Sequence, residues 1–365
     1  MHDIRSWALL TLILGSWAAP SAAEQQLPAP PTEERPLNIL PVVFYTPDTS
    51  FGTGAFVVQN LDGPQTADPS NLVAVLTFTA KKQIIFISEP KFYWDQGRWE
   101  WSSKLAAQDF PSTYYGQGSV ELEESNRETF KEVRSSFSTR LKNIYYGRHF
   151  WELMYEGGLQ RFTADPESMV VQRELEEWGF SSKKQSVQLG LGYDSRNSKV
   201  RPTAGHILSL YRRQTLFQAQ KRDQGFALTG FDYRLYMSAN ERQSMAFQIA
   251  LAEEEHRELP FYELLGIGGN QVLRGYYGNQ FRDYAIGYAQ AEMRNLWSDR
   301  WGYRAFIGTG THAEHVPKLS AQSQKIAAGA GIDYFLDPVS KTNLRFDLGI
   351  SPGQVSVYFL YGNAF

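Results

Sequence analysis

Residues 343–365 read NLRFDLGISPGQVSVYFLYGNAF, and they contain two alternating segments joined by a short turn. In the first segment Leu344, Phe346 and Leu348 alternate with polar residues and glycine. In the second, the apolar residues at 355, 357, 359 and 361 share one parity. Successive side chains of a strand point to opposite faces, so a period of two predicts strands with one apolar face. This end of the chain therefore predicts two consecutive β-strands.

The same period runs through the chain from residue 38 onward, for example at 187–194 and 245–251. We find no second composition regime and no amphipathic helix. The pattern predicts sixteen strands, at 38–46, 51–61, 71–80, 82–95, 98–109, 127–142, 150–162, 183–193, 205–215, 225–237, 243–254, 283–296, 301–310, 324–336, 342–350 and 354–364. A soluble sandwich of strands would show the same period, so periodicity alone does not place the protein in a membrane.

The lengths of the connections separate a sandwich from a membrane barrel. Four long connections, at 110–126, 163–182, 257–282 and 311–323, all follow odd-numbered strands, and most connections after even-numbered strands are short. The connection at 62–70 is an exception, because it is long although it follows an even-numbered strand. Barrels of bacterial outer membranes combine an even strand number with long external loops and short periplasmic turns. The sequence therefore predicts an all-β, sixteen-stranded antiparallel transmembrane barrel in a Gram-negative outer membrane.

Composition agrees with this class. The mean hydropathy of −0.40 is negative, as expected when apolar and polar residues alternate. A helical membrane protein needs apolar runs of about twenty residues, and the chain beyond its N-terminal region has none. The absence of cysteine excludes disulfides and thiolate metal sites. The formal charge of −3 gives no reason to expect a nucleic-acid partner.

The N-terminal region predicts export. Residues 1–23 have the features of a signal peptide: a basic start, an apolar core at 7–17 and small residues before a cut ahead of Glu24. An uncleaved anchor is the alternative, but the apolar stretch is short for a membrane span. Residues 24–37 are polar and rich in proline, which is typical of an extended periplasmic linker. The barrel is predicted to occupy 38–365.

Aromatic residues cluster near the predicted strand ends. In a barrel such residues form girdles at the two membrane interfaces, whereas in a soluble protein they would lie in the core or stack on ligands. The clusters are Tyr93, Trp94, Trp99 and Trp101; Tyr145, Tyr146, Phe150 and Trp151; and Trp297 and Trp301.

The last strand carries a further signal. Phe359, Tyr361 and Phe365 share one parity, and an apolar alternating strand that ends in phenylalanine resembles the signal by which outer-membrane barrels are recognised for assembly. The resemblance implies that the barrel assembly machinery inserts this chain and that outer-membrane lipid surrounds it. The alternative is a strand that carries no signal.

The longest predicted loop contains a recognisable motif. Residues 260–294 read PFYELLGIGGNQVLRGYYGNQFRDYAIGYAQAEMR, with LRGY at 273–276 and a glutamate and an arginine at 292 and 294. Together with LGYDSR at 191–196 and LRFD at 344–347, this order resembles the BamA/TamA bacterial surface antigen family over roughly 37–365. The resemblance implies a role connected with protein insertion or translocation at the outer membrane. Larger members carry periplasmic polypeptide-transport-associated domains, for which residues 24–37 leave no room.

The motif itself favours a folded loop. Gly268, Gly269 and Gly275 allow tight backbone turns. In a confined lumen, Arg274 would need a carboxylate or several acceptors around its guanidinium group. The resemblance implies that the loop enters the barrel and that Arg274, Gly275 and Tyr276 lie against the inner wall. The alternative is a solvated external arginine.

Candidate partners for Arg274 lie on the predicted inner face. Glu292 shares the polar face of its strand and is the first choice. The family often has another acid on the following strand, where Gly308 stands in this chain. We therefore expect that Asp333 or Asp347 also contributes.

Other chemistry finds little support. His312 and His315 lack a third ligand at suitable spacing, so no metal is expected. The glycines at 266–269 lack the lysine and Ser/Thr of a phosphate loop, and no Ser/His/Asp arrangement is visible. We expect no catalytic residues and no cofactor.

Three functions stay open at this point. The first is a non-enzymatic barrel for protein insertion or translocation, with unknown clients. In that family the activity is attributed to a weak seam between the first and last strands, which Pro41 would loosen by removing a ladder donor, although a proline at a strand start is equally ordinary. The second is a passive pore or structural surface barrel without clients. The third is a lipid enzyme, for which the site is lacking.

Overall fold

The computed structural model describes residues 37–46, 50–61, 70–118, 120–122, 126–336 and 342–365. The predicted signal peptide and the linker up to residue 36 lie outside these residues. Within the described part of the chain, no helix is long and apolar enough to cross a bilayer.

Sixteen antiparallel strands form one sheet in which each strand pairs with the next in sequence. The first and last strands approach each other, which bends the sheet into a barrel, and the predicted fold class is confirmed. In chain order the strands are β1 Asn38–Thr46, β2 Ser50–Asn60, β3 Asn71–Thr79, β4 Ile84–Trp94, β5 Trp99–Tyr114, β6 Glu128–Tyr145, β7 His149–Ala164, β8 Ser181–Asp194, β9 Gly205–Ala219, β10 Asp223–Ser238, β11 Gln243–Glu254, β12 Ala285–Leu296, β13 Trp301–Ala313, β14 Lys325–Phe335, β15 Asn343–Ser351 and β16 Gln354–Tyr361.

The alternating pattern decides which side chains face the lumen. On β15, Phe346, Leu348 and Ile350 point outward and are exposed, whereas Asp347 between them is fully buried. Apolar residues on the outer wall of a barrel contact lipid, and polar residues face the interior. On β15 the two charged residues, Arg345 and Asp347, therefore face the lumen.

The two ends of the barrel differ, as the connection lengths predicted. The long connections after β5, β7, β11 and β13 share one end, here called the long-loop end. The opposite, short-turn end carries turns such as 95–98 and 297–300, with 195–204 as a longer exception. Trp94 and Trp99 stack at 5.9 Å and Trp297 and Trp301 at 6.2 Å at this end.

Two members of the predicted aromatic girdle are misplaced. Tyr93 lines the lumenal cavity, where the Lys199 ammonium lies 4.6 Å from its ring centroid. Phe150 is only 1% exposed and faces the lumen, where the Lys142 ammonium lies 3.8 Å from its ring centroid. Its neighbour Trp151 has the opposite parity and contacts Trp99 edge-on at 5.8 Å. Adjacent aromatic residues on one strand cannot both face lipid.

The expectation that the chain lacks an amphipathic helix is wrong. Helix α1 spans Met169–Trp178 in the connection between β7 and β8 and buries Val171, Leu175 and Trp178. These residues follow the i, i+4, i+7 spacing of one helical face. A ten-residue helix with three apolar contacts is short enough to be missed among strands.

The last predicted strand is too long. β16 ends at Tyr361, and Gly362, with φ of 73°, turns the chain away from the sheet. Phe365 therefore does not continue the apolar face. It lies inside the barrel, 5% exposed, packed against Tyr236 and Ala246 of the opposite wall.

No ladder joins β1 to β16 within the described residues. Side chains hold this seam instead. Val42 of β1 is buried in an apolar cluster with Phe56, and Phe359 and Tyr361 of β16 pack against it. The rings of Phe56 and Tyr361 lie 5.1 Å apart. The seam is therefore an apolar contact, without the backbone hydrogen bonds of the other strand pairs.

Candidate functional site in the lumen

The connection between β11 and β12 folds back on itself. Residues 265–267 pair with 281–283 in a short antiparallel ladder. At its tip Gly268 and Gly269 adopt φ of 114° and 116°, values that glycine tolerates and side-chain-bearing residues rarely adopt. The Asn279 N–H donates to the Gly268 carbonyl at 3.3 Å. The predicted tight turns are present at these two glycines.

The folded connection contacts the inner wall through apolar side chains. Leu273 and Ile267, each 1% exposed, form a cluster with Tyr276 and Phe281. The same cluster includes residues of four different strands, namely Leu228 of β10, Ala252 of β11, Ile286 of β12 and Ala327 of β14. The loop thus lies against the lumenal face of several strands.

Arg274 reaches two carboxylates. Its guanidinium donates to Glu292 on β12 at 2.6 Å and to Asp347 on β15 at 2.8 Å. All three side chains are at most 1% exposed. The guanidinium also lies 3.5 Å from the ring centroid of Phe306 on β13, a cation–π contact. One arginine therefore ties the loop to three strands.

The residue after Arg274 permits this close approach. Gly275 has φ of 134°, and a Cβ there would come within 2.8–3.0 Å of the Ile350 backbone. Its N–H donates to the Tyr358 hydroxyl at 3.1 Å, and that hydroxyl donates to the Tyr276 carbonyl at 3.2 Å. The loop backbone is therefore pressed onto β15 and hydrogen-bonded to β16.

Glu292 serves more than one arginine. Its Oε1 accepts from Arg294 at 2.7 Å and from Arg304 at 2.9 Å, while Oε2 accepts from Arg274. Asp333 pairs with Arg304 and not with Arg274, so only Asp347 of the two further candidates reaches the motif arginine. We call this group the inner arginine cluster: Arg274, Arg294, Arg304 and Arg345 with Glu292, Asp333 and Asp347.

Sequence reasoning missed three members of this site. Arg304, Arg345 and Phe306 were not singled out. Arg345 shares its inward parity with Asp347, and Arg304 lies opposite Arg294 in the β12–β13 register. A search for charged residues on predicted inward positions of adjacent strands would have found both arginines. Phe306 carries no such signal, because an aromatic side chain fits either face.

The connection at 195–204 forms a second structure across the lumen, which we call the floor. Lys199 donates to the Gly97 carbonyl at 2.8 Å, and Asn363 donates to the Val200 carbonyl at 2.9 Å. Arg201 lies over the Phe335 ring of β14 at 5.6 Å, and burial lowers the pKa of its guanidinium to about 10. The floor thus starts at β8 and β9 and reaches both the β4–β5 turn and the C-terminal residues.

The C-terminal residues extend the floor. Arg294 donates to the Phe365 carbonyl at 2.8 Å, so the inner arginine cluster also fixes the tail. A cavity of about 890 Å³ lies between loop and floor. Residues of both structures line it, including Leu265, Gln271, Val200 and Phe365, with charged residues of β4–β10.

The two histidines lie in separate contacts at the long-loop end. His312 is 3.3 Å from Asp283 and stacks on Phe281, while His315 is 3.1 Å from Glu253. Within the described ranges, no three His, Cys, Asp or Glu side chains come together in a geometry that could hold a metal ion.

Comparisons with known proteins agree with this architecture. The sequence profile of the Omp85 superfamily domain matches residues 76–350. Among solved structures, BamA from Haemophilus ducreyi lacking POTRA domains 1–3 has a TM-score of 0.56 at 14% identity, covering 90% of this chain and 70% of BamA. CdiB from Acinetobacter baumannii has a TM-score of 0.54 at 12% identity, covering 90% of this chain and 59% of CdiB. CdiB from Escherichia coli has the same TM-score at 11% identity, covering 91% and 68%. No characterised protein sequence gives a significant match.

Proposed function

Because the chain belongs to the Omp85 superfamily, we propose that it is an outer-membrane barrel that assists the insertion or translocation of other proteins. The predicted resemblance to the BamA/TamA family is confirmed at the level of the superfamily and the barrel fold. The clients of this chain, its own export by residues 1–23 and its insertion by the barrel assembly machinery belong to the same proposal.

The observation that carries the proposal is the seam. An incoming strand can pair with the edge of a sheet, and the two edges at the seam have no mutual ladder among the described residues. Pro41 lies in β1 opposite Ala55 of β2 and contributes no N–H. The apolar cluster around Val42 keeps the two edges together until a client strand competes for them.

Paired cysteines test the role of the seam. The chain has no cysteine, so one introduced in β1 at 39–43 and one in β16 at 355–359 form the only possible disulfide. A small panel of such pairs identifies those that cross-link. We expect reduced protein in liposomes to accelerate the insertion of a small test barrel, and oxidised protein to lose this effect.

A matched pair within an existing ladder controls for oxidation. Cysteines at Ile350 and Val355, which face each other in the β15–β16 register, staple the hairpin without closing the seam. If the wild-type protein inserts the test barrel no faster than empty liposomes do, the insertion proposal is lost. If both cross-links act equally, the seam has no special role.

The obstructed lumen favours this proposal over a passive pore. Loop and floor both cross the interior, so we expect rare or small conductance in planar bilayers. A steady open conductance would favour the pore instead.

The inner arginine cluster acts in this proposal as the anchor that holds the loop, β12, β15 and the C-terminal residues together. For the C-terminal signal, Phe365 is buried once folding is complete, so we propose that Phe359, Tyr361 and Phe365 are read before the barrel closes.

A further inference from the structure

A hollow of about 730 Å³ lies on the outer wall of the barrel, across β4 to β9 near the long-loop end. Most of its lining residues point outward. Small side chains such as Ala107 and Ser135 occupy its middle, while Ile84, Val133 and Leu159 supply apolar surface. The hollow is therefore a lipid-facing groove in a wall that is otherwise covered by large apolar side chains.

Four charged residues line this groove: Asp109, Arg134, Arg161 and Lys183. Asp109 and Arg134 have ion-pair partners, Lys131 and Glu156, and among the described residues the other two are unpaired cations. Arg161 of β7 and Lys183 of β8 both point outward and are exposed. Arg161 lies opposite Ser181, two residues from Lys183, which makes the two cations diagonal neighbours about 7 Å apart. In the described part of the chain neither side chain forms a hydrogen bond or an ion pair. The nearby Lys131, in contrast, pairs with Asp109 at 2.9 Å.

The position of the groove determines what it meets. Long loops of outer-membrane barrels face the cell exterior, so the groove lies where the headgroups of the external leaflet meet their acyl chains. Unpaired cations on a lipid-facing wall are costly beside hydrocarbon, and they are stabilised beside an anionic headgroup. The groove thus combines an apolar track with two positive charges at headgroup depth.

We propose that this outer hollow is a binding site for a phosphorylated glycolipid of the external leaflet. One acyl chain packs along Ile84, Val133 and Leu159, and a phosphate lies between Arg161 and Lys183. The planar guanidinium of arginine can donate two parallel hydrogen bonds to phosphate oxygens, and lysine adds a point charge. The site does not depend on client proteins, and its failure would leave the role of the seam untouched.

The test uses delipidated full-length protein in an uncharged detergent. Bis-phosphorylated lipid A is the probe, the same lipid without phosphates is its control, and binding is followed by native mass spectrometry. We expect Arg161→Gln with Lys183→Gln to weaken binding of the phosphorylated lipid by about tenfold or more, since each cation contributes on the order of 1 kcal/mol at a membrane surface. The matched variant Arg148→Gln with Arg242→Gln removes two exposed cations from short turns and should bind like wild type.

A second variant separates the groove from its charges. Ala107→Trp fills the middle of the hollow and leaves both cations in place, and we expect it also to reduce binding. Any of three results would overturn the proposal. The phosphate-free lipid binds as well as the phosphorylated lipid, the two double charge variants lose binding equally, or Ala107→Trp binds the lipid like wild type. If inorganic phosphate at millimolar concentration displaces the phosphorylated lipid completely, the groove is an anion site and the proposal that a lipid occupies it is wrong.

Discussion

Arg274 has two carboxylate partners that differ in what else they hold. Asp347 accepts from Arg274 and lies near Arg345 at 3.4 Å, whereas Glu292 accepts hydrogen bonds from three arginines. Breaking a buried pair by removing one partner typically costs about 3–5 kcal/mol, because the other charge stays buried and unpaired. Each carboxylate forms ion pairs with three arginines, since Arg304 also lies 3.9 Å from Asp347, but the loss of Glu292 removes three charge-assisted hydrogen bonds and the loss of Asp347 removes one.

We therefore expect Glu292→Gln to destabilise the folded barrel more than Asp347→Asn does. Each is combined with Arg274→Ala in a double-mutant cycle, read from reversible urea unfolding in lipid vesicles. Coupling well above about 0.5 kcal/mol in both cycles indicates direct pairs. Additive effects in both would mean that Arg274 is solvated or paired elsewhere.

Gly275 offers a second test at the same scale. A Cβ at this position would collide with the Ile350 backbone and would also carry the strain of φ near 134°. Gly353 has φ of 74°, and a Cβ there would meet nothing within 4 Å. Gly275→Ala should therefore lower the unfolding midpoint by more than Gly353→Ala, which carries only the left-handed penalty of about 1–2 kcal/mol. Equal shifts would show that the loop does not press on β15.

Helix α1 is held in place by its apolar face and by polar contacts. The Glu128 carboxylate accepts from the N–H groups of Val170 and Val171, and the Glu174 carboxylate accepts from the Phe261 N–H. Leu175 is fully buried, whereas Met169 is 74% exposed. Large-to-small changes at buried positions cost about 2–5 kcal/mol. We expect Leu175→Ala to speed amide hydrogen exchange in residues 169–178 while the strands stay protected, and Met169→Ala to leave the exchange unchanged. Faster exchange throughout the barrel would mean that the helix is part of the global fold.

Strands and connections differ in how well the sequence predicts them. Sixteen strands follow from period two, because a one-residue slip would expose every inward charge to lipid. The end of β16 was missed because Gly362 interrupts an apolar pattern that continues in parity to Phe365. The floor was missed because its contacts, such as Lys199 with Gly97, join residues far apart in sequence. Of the candidate site, Arg274 and its carboxylates could be named from the motif, whereas Phe306 depends on the three-dimensional register.

At the scale of the whole barrel, loop and floor are two barriers in series along one lumen. The loop reaches the walls through Arg274 and its apolar cluster, and the floor reaches them through Lys199, Arg201 and Asn363. Electrical resistances in series add, so either barrier, loop or floor, still limits the ion flow when the other one has been removed. Removing one barrier alone should therefore change the conductance little.

Replacing residues 269–278 by two glycines removes the loop tip, and Lys199→Ala with Asn363→Ala loosens the floor. In planar bilayers we expect each change alone to leave the conductance low and the combination to raise it several-fold above the product of the single effects. Arg242→Ala, which removes one cation from an exposed turn, serves as the charge-matched control. A full opening by the loop deletion alone would assign the barrier entirely to the loop and reduce the floor to a structural turn, because a second closed barrier would have kept the current low.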